Sequence, residues 1–178
     1  MNFAQPRRAA AFNDWAKAQG WPSRCDVDLA FESQKLAGLL AIWRLQAGRD
    51  PLPRREKLSA RILKPYLGSL ALFQQIQGNP KRYCIRLMGT LLTQTIGEMQ
   101  GKYVDEMVPP DLLPRWHAAF DLILAECRPL RFTSRVDFMH LDHLHAEVLL
   151  APLLDGRYEP SLVLGCAVFK SATAPNPQ

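Results

Sequence analysis

Residues 130–138, LRFTSRVDF, alternate without a break. Leu130, Phe132, Ser134, Val136 and Phe138 fall on one side, and Arg131, Thr133, Arg135 and Asp137 on the other. A period of two marks a half-buried antiparallel strand, so the chain must supply partner strands and a cover for the dry face. The partners follow at once. HLHAEVLLAPLL, residues 143–154, is a second strand closed by the Asp155–Gly156 turn, and SLVLGCAVF, residues 161–169, is a third. Upstream, SLALFQQIQ lies between Gly68 and the turn signal Gly78-Asn79-Pro80, and YCIRLMG completes a hairpin with it.

Helical segments fill the intervals. In ESQKLAGLLAIWRLQAG, Ser33 is the expected N-cap and Gly48 the stop, with Leu36, Leu39, Leu40, Trp43 and Ala47 on one stripe. Asp50, Pro51 and Pro53 make a linker, and Glu56 to Tyr66 reads as a second short helix. Between the hairpin and the last three strands, Gly89 to Met99 is helix-like, VDEM is a short piece, and Asp111 is expected to cap the longest helix. That helix carries Leu113, Trp116, Phe120, Ile123, Leu124 and Cys127 on one face. The expected fold is therefore α+β: a five-stranded antiparallel sheet with helices on one face, preceded by N-terminal flanking helices. Residues 1–31 read as an extension with a short helix from Arg8 to Gln19, 32–170 as the domain, and 171–178 as a disordered tail.

A hydrophobic share of 48% excludes a disordered chain, and no apolar run is long enough to span a membrane. MNFAQPRRAAAF lacks the apolar stretch of a secretory signal, so a cytoplasmic location is expected. Cys25, Cys84, Cys127 and Cys166 form no CxxC pair, and three of the four sit among apolar neighbours as small buried hydrophobes, which argues against disulfides or a zinc site. The net charge is +5, with Arg49, Arg54, Arg55, Lys57, Arg61 and Lys64 in one stretch. No aromatic residue interrupts that stretch to stack on bases, so it reads as a solvated face and no nucleic-acid partner is expected.

Strand, strand, helical insert and three strands is also the order of a PAS domain, and the residues sharpen the likeness. Trp43, Gly48, Pro53 and Arg54, then Pro65 and Leu67, resemble the opening of a bacterial family of largely stand-alone PAS proteins. Tyr83, Arg86, Gly89, Thr90, Gly97 and Gly101 follow in the family's order, as do Pro152, Leu153, Asp155, Gly156, Leu164 and Gly165. The resemblance covers residues 33–169 and implies a sensory or interaction domain, with no enzyme activity and no fixed cofactor.

In that layout the concave sheet face and the middle helices enclose a cavity. Phe73, Ile85, Leu92, Ile96, Trp116 and Phe120 are the expected walls, with Tyr83 and Arg86 as polar anchors of which strand parity lets only one face inward. The same apolar residues would serve equally as plain core. Arg86 either pairs with a carboxylate such as Asp105 or Glu106 or faces an anionic ligand. His143, His145 and Glu147 share one strand face and match a metal-binding set, but no fourth ligand is placed. A polar strand face, with His140 and Asp142 in a turn, is the preferred reading, and no metal is expected. His117, at the edge of the long helix's stripe, is the one position from which a helix histidine could ligate haem, and no flavin-type Asn-Cys-Arg motif is present. The expected function is a non-catalytic sensory protein that binds a small ligand or a signalling protein and forms a homodimer through the Ser33–Ala47 helix. The alternatives are a metal-dependent enzyme using the strand histidines, or a ligand-free dimerising adaptor.

Overall fold

The computed structural model describes residues 6–136 and 144–171. Its strands are β1 (Ser23–Asp26), β2 (Leu70–Ile76), β3 (Arg82–Met88), β4 (Leu130–Arg135), β5 (Leu144–Leu154) and β6 (Pro160–Ser171). Its helices are α1 (Pro6–Ala18), α2 (Gln34–Ala47), α3 (Ala60–Leu63), α4 (Thr90–Ile96), α5 (Val104–Met107) and α6 (Leu113–Glu126). The strands make one antiparallel sheet in the order β1-β4-β5-β6-β2-β3. The five expected strands are all present, and β1 adds a sixth from the segment read as an extension.

β1 is held by more than its ladder. Asn13 of α1 donates its side-chain amide to the Cys25 carbonyl at 2.9 Å and accepts from the Cys25 N–H at 2.7 Å. Phe12 stands edge-on to Phe132 of β4, with ring centroids 5.3 Å apart. The unit α1–β1 therefore covers the end of the sheet that β4 would otherwise leave open.

Strand alternation splits the core into two layers. Ala71, Phe73, Ile85, Leu130, Phe132, Leu150 and Val163 face α1, α4, α5 and α6. Leu70, Leu72, Leu149, Ala151, Leu153, Leu162 and Leu164 face α2 and α3. Helices thus lie on both faces of the sheet, not on one. The stripe of α2 is the reason: Leu36, Leu39, Leu40, Trp43 and Ala47 are buried on the chain's own sheet, and Trp43 Nε1 donates to the Pro152 carbonyl at 2.9 Å. Ser33 and Gly48 cap α2 as expected. Burial there uses up the face expected to meet a second copy. α6 starts later than expected, at Leu113 after an N-cap at Leu112, with Pro114 in its first turn and no cap from Asp111. Proline supplies its own φ in that turn, where the missing N–H costs nothing.

Candidate functional site

Between the α6 side of the sheet and its helices lies a cavity of about 190 Å³. Its sheet-side floor is made of small side chains. Ala71 and Gly165 are register partners on β2 and β6, and Ala146 and Ala167 follow on β5 and β6. A Cβ at Gly165 would press on Leu150 and Phe73 at 3.3 Å, so glycine keeps the floor low there. Phe73, Trp116 and Phe120 form one wall, Phe73 and Trp116 meeting edge-on at 6.1 Å and Phe73 and Phe120 tilted at 4.5 Å. Ile85, Met88, Leu92, Ile96 and Met99 close that end, and Phe12 and Phe132 stand at another side. Among the described lining residues Ser23, Arg115, Ser134, Arg135 and Cys166 carry polar side chains, and Arg135 is exposed, on the strand parity of Arg131 and not of Ser134.

The structure brings six of the expected wall residues together: Phe73, Ile85, Leu92, Ile96, Trp116 and Phe120 all line the cavity. It does not bring the two expected anchors there. Tyr83 is fully buried beyond Phe120, ring centroids 5.0 Å apart, with its hydroxyl donating to Asp121 and accepting from Gln75. Burial, and then the Asp121 carboxylate, push its pKa up. Arg86 is exposed. β3 is the outer strand of the sheet, and Arg86 is on the side opposite Tyr83 and Ile85, where it meets solvent. The carboxylates offered to Arg86 pair instead with Arg82, at 2.8 Å for Asp105 and 2.9 Å for Glu106. The Arg82 guanidinium also sits 3.6 Å above the Tyr103 ring.

His117 lies outside the cavity lining, its ring 5.4 Å from that of Tyr83. Of the strand-face set, His143 lies outside the described residues, together with His140 and Asp142, and so do 172–178 of the expected tail. His145 is exposed. Glu147 is buried, and its carboxylate accepts from Arg131 Nε at 2.7 Å and from the N–H groups of Glu32 and Ser33 at 2.8 and 2.9 Å. Arg131 in turn reaches Asp26 at 3.2 Å. One carboxylate therefore ties β4, β5 and the start of α2 together.

Phe12, Ser23, Arg115 and Arg135 were not among the residues expected at the site. The first two come from the N-terminal unit, whose place is fixed by pairing with β4, over a hundred positions away in the chain. The small residues Ala71, Ala146, Gly165 and Ala167 did carry a signal. They sit at cavity-facing parity in otherwise bulky strands, which is how a sheet leaves a void.

An antiparallel sheet whose inner face and connecting helices surround an apolar cavity defines an α+β domain built around a hollow. The family model of the PAS domain matches residues 31–168, and the chain belongs to the PAS domain family. It shares with that family a sensory and signalling role. Among solved structures, that of an RNA-binding light-oxygen-voltage receptor is similar, with 14% sequence identity and a TM-score of 0.40. The alignment covers 66% of this chain and 35% of the receptor chain. No curated protein matches the chain. Among the described residues, no helix is long and apolar enough to cross a membrane.

Proposed function

We propose that this chain is a sensory PAS domain that binds a small, largely apolar molecule in its central cavity and carries out no catalytic step. The cavity itself is the observation that supports this. Protein interiors close-pack, and an apolar void of about 190 Å³ exceeds the roughly 150 Å³ that holds benzene in a protein core. The volume suits one ring with a short substituent or a short acyl chain, well below a haem or a flavin ring system. The titratable groups of the described lining are two arginines and Cys166, whose thiol burial pushes up to about 12. That set offers no general base and no activated nucleophile at neutral pH.

Signalling to a partner runs in this reading through α2, because β4 and β5 carry the cavity on one face and the Glu147–Arg131 anchor of α2 on the other. A homodimer would use a surface other than the α2 stripe. The four free cysteines fit a reducing, cytoplasmic setting. Native mass spectrometry of freshly purified protein, beside an Ala146→Leu variant whose cavity is filled, tests the proposal. A bound small molecule in the wild type, lost in the variant, is expected. A wild type that carries no ligand and that no metabolite stabilises against heat would leave a ligand-free adaptor in its place.

A further inference from the structure

We infer that the ligand of this cavity is a phenol, one apolar ring whose neutral hydroxyl donates a hydrogen bond to the Ser23–Ser134 pair. This rests on the cavity being a ligand site. Of the polar side chains along the described lining, Arg135 is exposed and Cys166 packs in the α2 layer, which leaves Ser23, Ser134 and Arg115.

The two serines occupy one end of the floor. Strand register lines up Ser23, Ser134, Ala146 and Phe169 across β1, β4, β5 and β6, and all four line the cavity. The next two rungs, Phe132–Val148–Ala167 and Leu150–Gly165–Ala71, are wholly apolar. Successive rungs are about 7 Å apart, so a head group on the serines sets a single ring over Ala146 and Ala167.

Counting protons fixes what the serines can offer. Ser134 Oγ is 2.8 Å from the Arg135 carbonyl oxygen, which can only accept, so the Ser134 proton goes there. Ser23 Oγ is 3.0 Å from Ser134 Oγ, and Ser134 has no second proton, so Ser23 donates to it. Both protons are spent within the protein, and the pair has only lone pairs left to give. A carboxylate, ketone or ether brings acceptors alone and would face them unpaired. An ammonium brings donors but leaves water as a charge, at heavy cost in an apolar hollow. A phenol hydroxyl stays neutral near pH 7, its pKa being about 10, and donates to the serines. It also keeps lone pairs for the N–H donors that Arg115 adds to the lining.

The body is read by the walls. Trp116 stands edge-on to both Phe73 and Phe120, and an aromatic ring can join that arrangement through its own edge and face, as a short chain cannot. Ser23 precedes the 31–168 span that the family model matches, so the N-terminal unit supplies half of the head-group site.

Phenol, toluene and anisole share one ring and differ in the head, and titration calorimetry on the full chain compares them. Phenol is expected to bind at least about fivefold more tightly than anisole and no more weakly than toluene, since a hydroxyl without an acceptor would lose its bonds to water. Ser134→Ala frees the Ser23 proton, so the phenol-to-anisole ratio should fall to about one or below while toluene's affinity holds. Ser23→Ala leaves the Ser134 proton on the Arg135 carbonyl, so phenol should keep its preference. Anisole that binds as tightly as phenol, or a ratio that Ser134→Ala leaves unchanged, overturns the phenol and leaves the cavity reading standing. If none of the three binds while the wild type still carries a molecule that Ala146→Leu loses, the phenol falls alone. If the wild type carries none, both fall.

Discussion

Glu147 shows how much one side chain can organise. Its carboxylate is buried, faces Arg131, and accepts two backbone N–H groups that lead into α2. Removing one partner of a buried ion pair leaves the other charge desolvated without compensation. Glu147→Ala should therefore cost about 3 kcal/mol in urea unfolding, and the amides of α2 should exchange faster with solvent than in the wild type. An unchanged midpoint would show that Asp26 alone satisfies Arg131. His117 makes a second residue-level case. Its Nε2 is buried with no hydrogen-bond partner, and burial holds its pKa below the ordinary 6.5, against the pull of Asp121 and Asp105 and with the help of Lys81. The folded-state pKa is depressed, so the unfolded chain takes up the proton first as pH falls. Stability present above about pH 6.5 is lost as pH drops toward the lower, folded-state value. Thermal melts of wild type and His117→Gln across pH 7.5 to 5 should converge at the acid end, and parallel curves would contradict this.

At the scale of elements, the junction of β3 with α4 is a close-packed joint. The Gly89 N–H donates to the Leu70 carbonyl at 2.7 Å, and a Cβ at Gly89 would collide with the carbonyl oxygens of Leu67 and Gly68. Backbone cannot yield as a flexible side chain can. Gly89→Ala should destabilise by more than about 3 kcal/mol, whereas Gly156→Ala, with nothing within 4 Å, should stay within about 0.5 kcal/mol. Chemical denaturation of the pair checks both. The Gly89-Thr90 step is also part of the stretch by which the sequence resembles its family, and the crowding gives that resemblance a physical cause. The five longer strands were legible for a local reason: alternation and turn residues lie within each of them. β1 was not, because SRCD is four residues long and becomes a strand only through β4. The cover formed by α2 was legible as an apolar stripe, but a stripe says that a face is buried and not against what. Arg86 illustrates the same limit. Its parity was readable, while the position of β3 at the edge of the sheet was not.

For the molecule as a whole, the two layers have different characters. The α2 side is filled with leucines, and the α6 side keeps a void between small sheet residues and large helix residues. That void has a mechanical meaning. Unfolding lets water occupy space that the folded chain keeps from it, so compression favours the unfolded state in proportion to the internal volume lost. Space of 190 Å³ is about 110 mL per mole, and the volume change of unfolding scales with such space without equalling it. Under hydrostatic pressure, followed by tryptophan fluorescence, the empty protein should unfold at a lower midpoint than Ala146→Leu, even where their thermal melting points are close. Equal midpoints would mean that the space is already occupied. The same hollow that admits a ligand would make this domain soft to compression when empty and stiff when full.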